Sequence, residues 1–168
     1  MHQRLHVAVL KAQVMSTKTT TPGTDGNLIL LDNCCNIQVS NQRSLLHDIV
    51  PNTDSTANTL GGGYKPTMKG NSLHIGCALY DPEAGVTVLS YKRMLDEGRV
   101  YHDEAEENFY LTFPSIPGDF VLRFKWIEGI LAADVRPLVH RIQELESTSQ
   151  IMATTSTVKV VGEHWTAT

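Results

Sequence analysis

The sequence predicts an α+β fold, an antiparallel β-sheet or sandwich with one C-terminal amphipathic helix; an all-β sandwich with a peripheral helix is the alternative. Three observations carry this expectation. Phe109, Leu111 and Phe113 face Phe120, Leu122, Phe124 and Trp126 across a turn containing Pro114, Pro117 and Gly118, which is the pattern of a β-hairpin. Leu73, Ile75, Cys77 and Leu79 alternate with His74, Gly76, Ala78 and Tyr80, as in a strand with one buried face. Val135, Leu138, Val139, Ile142 and Leu145 recur at helical spacing behind Asp134, a good helix cap.

In chain order, residues 1 to 14 alternate in a way that reads as a short strand at least as well as a helix, and Ser16 to Gly23 is a polar tract, so residues 1 to 26 read as a flexible N-terminal arm. Met15 is an alternative start within it. Residues 27 to 168 then form one globular β-rich domain, in keeping with a length of 168 residues, which suffices to bury about two-thirds of the unfolded surface. Asn27 to Leu31 and Asn36 to Val39 read as strands, and Gln42 to Val50, with Leu45, Leu46 and Ile49 at helical spacing, as a helix ended by Pro51. The Gly- and Pro-rich stretch from 51 to 72 reads as a long loop. Leu73 to Tyr80 and Val86 to Lys92 form a predicted hairpin around Asp81 to Gly85.

The Phe109 to Trp126 hairpin has the sharpest pattern. Its rings lie on one face and Arg123 and Lys125 on the other, so a slip of one residue would put three rings in water and two cations in the core. The helix begins near Val135 and tolerates Pro137 in its first turn. Ile151 to Val161, rich in Thr and Val, reads as a closing strand.

A net charge of -4 without any basic run argues against a large nucleic-acid footprint. No apolar run approaches the roughly 18 to 20 residues that span a bilayer, so no transmembrane segment is expected. Leu5 to Leu10 is too short for a secretory leader and contains His6. Cys34, Cys35 and Cys77 make an odd set, which favours reduced thiols and a cytoplasmic, intracellular location.

Gly61, Gly62, Gly63, Tyr64 and Lys65 lack the spacing of a phosphate loop, and Pro66 follows at once, so a linker is the simpler reading. Gly70, Asn71, Ser72, Leu73 and His74 match only the first half of a nucleophile elbow, with His74 in place of the closing glycine. The seven histidines show no zinc spacing, and a site joining Cys77 and His74 competes with the plainer reading of a buried Cys77 and a surface His74. Neither a metal nor a cofactor is expected. His102 to Glu107 lacks the spaced ligands and glycine of a calcium loop.

With no catalytic constellation in view, the sequence points to a non-catalytic assembly or protein-interaction protein that binds itself or another protein, as a homo-oligomer. A small self-assembling subunit of viral matrix or coat type fits a β-rich body with a polar arm. The interaction residues are expected in the acidic loop: Asp103, Glu104, Glu106 and Glu107, docking a basic partner. The alternative is an enzyme or small-ligand binder whose site joins distant residues, with Ser72, His74, Asp81 and His102 the first suspects.

Overall fold

The computed structural model describes residues 26–59, 62–127 and 129–162. It is an α+β fold: ten of its strands form one mixed sheet, two more form a small hairpin, and a long helix closes the chain. The strands of the large sheet are β1 (Leu28–Asp32), β2 (Gln38–Ser40), β3 (His47–Pro51), β6 (Met68–Asn71), β7 (Ala78–Tyr80), β8 (Thr87–Ser90), β9 (Val100–Asp103), β10 (Asn108–Thr112), β11 (Val121–Ile127) and β12 (Ile130–Asp134). Their spatial order is β3-β6-β7-β2-β8-β1-β12-β11-β10-β9. β4 (Ala57–Thr59) and β5 (Gly62–Tyr64) pair apart from it. Helix α1 spans Tyr91–Asp96 and α2 spans Arg136–Gly162.

The middle of this sheet is buried on both faces, which explains why β1, β2, β8 and β12 read as near-continuous buried runs rather than alternating ones. One face packs Ile29, Leu31, Leu89, Met94, Leu111, Phe124, Leu138 and Ile142 into the main core. Leu30, Val86, Val88, Ile130 and Ala132 make a second cluster. The sheet is mixed rather than purely antiparallel, because β1 runs parallel to β8 and β2 parallel to β7.

That arrangement corrects the hairpin expected from 73 to 92. β2 lies between β7 and β8, so the two strands flanking the Asp81 to Gly85 turn never pair with each other. The first of them is also shorter than its alternation suggests. Ser72 Oγ accepts the N–H groups of His74 (3.1 Å) and Ile75 (3.2 Å), and Gly76 donates to the Ser72 carbonyl (2.9 Å) at a φ of +79°. These local bonds divert the backbone into a turn, leaving Leu73 75% exposed.

Three further expectations change. Gln42 to Val50 makes only a 3-10 turn, Arg43–Leu45, before β3, since so short an apolar stripe does not nucleate an α-helix. The supposed loop from 51 to 72 contains β4, β5 and β6, organised around buried Asn52, whose Nδ2 donates to the carbonyls of Ser55 and Pro66 at 2.8 Å each. Ile151 to Val161 lies within α2. Once a helix is running, each added residue gains a hydrogen bond without a new nucleus, and that overrides a Thr/Val preference for strand. The strand and arm read from residues 1 to 25 lie outside the described residues.

Other readings hold. β10 and β11 pair Phe109 with Phe124 and Leu111 with Leu122, and both Leu122 and Phe124 are buried. Asp134 Oδ1 accepts the N–H of Arg136 at 2.9 Å, and Val135, Leu138 and Ile142 pack inward from the helix start. Trp126 departs from the pattern: it shares the face of Phe124 yet is 55% exposed, because β11 runs past the packed layer at its far end.

A polar chain ties the middle of the sheet, at β2, to β10 near one edge. Fully buried Gln38 donates from Nε2 to the Ile75 carbonyl (2.9 Å) and accepts from Arg93 Nη1 (3.3 Å). Arg93 Nε reaches Glu97 (3.1 Å), Arg99 Nη1 reaches the other oxygen of Glu97 (3.3 Å), and Arg99 Nε donates to the Thr112 carbonyl (3.0 Å). Gly76 suits this point because its φ of +79° would strain any other residue, and a Cβ there would also push on Arg93 Nη2 at 2.8 Å.

Truncating Phe124 to Ala should cost about 3–5 kcal/mol, whereas Trp126→Ala should stay below about 1.5 kcal/mol, the value of its ring contact. Urea unfolding of both variants checks the contrast. Gln38→Ala should lose about 1–3 kcal/mol by stranding the Ile75 carbonyl and Arg93, and thermal unfolding reads it directly.

Candidate functional site

The acidic residues singled out by sequence sit at one place, the turn joining β9 to β10. Asp103 closes that turn, its Oδ1 accepting the N–H groups of Ala105 (3.0 Å) and Glu106 (3.3 Å). Glu106 Oε2 accepts from Asn108 Nδ2 (3.0 Å) and from Arg123 (3.5 Å). Two of the four carboxylates are therefore engaged in shaping the hairpin. Glu104 and Glu107 are exposed and enter no ion pair among the described residues, and Glu107 holds a φ of +52° at the turn.

Beside the turn, three strands and α1 bring four rings together. His102 stacks on Phe109 with centroids 4.3 Å apart, Trp126 meets Phe109 edge-to-face at 5.9 Å, and Tyr91 meets it likewise at 6.3 Å. Register explains the meeting, since Phe109 lies opposite His102 on β9 and Phe124 on β11, one side-chain step before Trp126. Leu95, one helical turn beyond Tyr91, extends this apolar corner and is exposed.

The reverse face carries a second set that sequence reasoning left unassigned. Tyr101 and Tyr110 lie 6.1 Å apart, with Tyr110 opposite Arg123, and Lys125 follows on the same face. Rings interleaved with cations suit stacked bases. Arg123 is already answered by Glu106, however, and the chain carries a charge of -4, so the field does not favour a phosphate backbone.

The four residues suspected of chemistry do not converge. Ser72 is occupied in its turn, His102 is stacked on Phe109, and Asp81 accepts the Tyr64 hydroxyl, which pins β5 to the turn after β7. Burial first, and Asp81 second, push the Tyr64 phenol far above its ordinary value, so it stays protonated. Cys77, expected to be buried, is exposed because its strand begins only at Ala78. No group of three or more His, Cys, Asp or Glu suited to a metal occurs among the described residues.

His74 does meet a partner, one that no spacing along the chain singles out. Its Nδ1 lies 2.8 Å from Ser115 Oγ, a residue of the turn between β10 and β11. Half-buried, the imidazole is held below its ordinary value mainly by burial, with Arg99 and His47 adding to the effect and Glu146 opposing it. No carboxylate hydrogen-bonds the ring among the described residues, so the orienting third group of a nucleophilic triad is missing. Arg99, packed over the Phe113 ring at 5.0 Å, keeps one buried nitrogen, Nη2, without a partner among the described residues.

Comparisons with protein-family models, with curated proteins and with solved structures find no match. No helix among the described residues is long and apolar enough to cross a membrane.

A His held neutral by the fold makes stability depend on pH. The unfolded chain binds the proton more readily, so the contribution of His74 is complete above about 6.5, the ordinary imidazole value, and falls as the pH drops below it. Replacing His74 with Asn should flatten the acid limb of a stability profile measured by urea unfolding between about pH 7.5 and pH 5.

Proposed function

We propose that this chain is a non-catalytic assembly or protein-interaction protein whose contact surface is the β9–β11 end of its sheet. One observation carries the reading: among the described residues β9 is the outermost strand, an edge with exposed apolar side chains on it and on the strands behind it. Tyr101 on β9 is 62% exposed and Ile127 on β11 is 50% exposed. An edge presents unpaired N–H and C=O groups, which a further strand satisfies.

The two edges of the sheet differ in a way that supports this choice. β3 is interrupted by a register shift between His47 and Val50, holds Asp48 at a φ of +50°, and ends at Pro51, all features that discourage pairing. β9 has neither bulge nor proline, and its pairing with β10 is regular from Val100 to Asp103. Self-association through β9 would make a continuous sheet across two copies, and a matrix- or coat-type subunit is one member of that class. The second reading, an enzyme or small-ligand binder, rests on the His74 and Ser115 pair and lacks a convergent set of polar groups around it.

Light scattering behind size-exclusion chromatography tests the assembly reading. The mass should rise with concentration, and Tyr101→Lys, a charged edge residue, should hold the chain at the monomer mass. A monomer at every concentration would remove self-assembly through β9.

A further inference from the structure

We infer that the corner formed by His102, Phe109 and Trp126, beside the Glu104 and Glu107 carboxylates, docks a cationic segment of a partner protein, with an Arg or Lys side chain laid on Trp126. The inference rests on the reading of this chain as an interaction protein and names the chemistry of its partner. Three features select that occupant. Among the described residues the sheet face is open at this point: Trp126 lies on the same face as the buried Phe124 but outside the packed layer, with an edge contact to Phe109 and its surface 55% exposed. Indole is the best aromatic acceptor for a cation, and the neighbouring rings of Phe109 and His102 fix its orientation.

Charge then decides between occupants. The turn adjoining the corner carries Asp103, Glu104, Glu106 and Glu107, answered within it only by Arg123 at Glu106. Glu104 and Glu107 have no cation partner among the described residues, and both stand in the turn that joins the strand of His102 to the strand of Phe109. The cations of β11, Arg123 and Lys125, alternate onto the opposite face. An acidic or neutral apolar segment would meet two uncompensated carboxylates at the rim, whereas a basic one gains from both the ring and the carboxylates.

The test is titration of the full chain with a synthetic Arg- and Lys-bearing peptide and with its Glu-substituted counterpart, observed by the indole N–H resonances. Trp126→Phe assigns the Trp126 signal. The basic peptide should shift that signal, should bind about tenfold more weakly to Trp126→Ala, and should bind severalfold more weakly to the Glu104→Gln/Glu107→Gln variant. Raising salt from about 0.05 M to about 0.5 M should weaken it further. Trp126 is exposed, so its variants keep the fold, and unchanged unfolding midpoints verify that.

Equal binding of the acidic peptide, or basic-peptide binding indifferent to Trp126→Ala, overturns the inference, as does the absence of any shift at Trp126. In that last case, concentration-dependent mass that Tyr101→Lys abolishes leaves the interaction reading standing without its cationic partner. If the mass is also constant, both fall.

Discussion

Gln38 is the constraint around which the sheet is arranged. An amide with no access to water must have its donor and acceptor met within the protein, and it finds them in the Ile75 carbonyl and in Arg93. Satisfying Gln38 places β2 against the Ser72 to Gly76 turn and brings α1 over the sheet. Arg93 in turn needs an anion, Glu97 supplies it, and Glu97 also receives Arg99. Arg99 then grips the Thr112 carbonyl of β10. A requirement in the middle of the molecule thus reaches the hairpin that carries the acidic turn, and it does so through directional bonds rather than through apolar contact alone.

The fold was legible where one face of an element meets water and the other does not. The alternation in 109 to 124 and the stripe from Val135 to Leu145 each record a single buried face, and both elements occur as read. Where both faces are buried, periodicity disappears, so β1, β8 and β12 carry no signal of their order or direction. The insertion of β2 between β7 and β8 depends on residues dozens of positions away, which no local pattern encodes. Trp126 shows the converse limit. Its place in the alternation specifies a face, but only the extent of the covering layer decides whether that face is dry.

The candidate site was legible in part for the same reason. A run of carboxylates is local, so the turn at 103 to 107 could be found, but the roles within it could not: Asp103 and Glu106 are committed to backbone and side-chain bonds that arise only once the hairpin forms. The rings of His102, Phe109 and Trp126 belong to three strands, and their meeting is a product of register. His74 and Ser115 are further apart still, joined by two turns whose approach has no trace in the spacing of either residue.

The pairing of β1 with β12 has a consequence for how the chain is made. Leu28 lies beside Asp134, so the centre of the sheet joins two strands separated in the chain by the whole span from Asp32 to Ile130. Loop closure of that span must precede the reward from the contacts it brings, which places this topology among slow folders. Until β12 leaves the ribosome, one side of β1 has no ladder partner, and its apolar run of Leu28, Ile29, Leu30 and Leu31 is the segment that a nascent chain has most reason to shield.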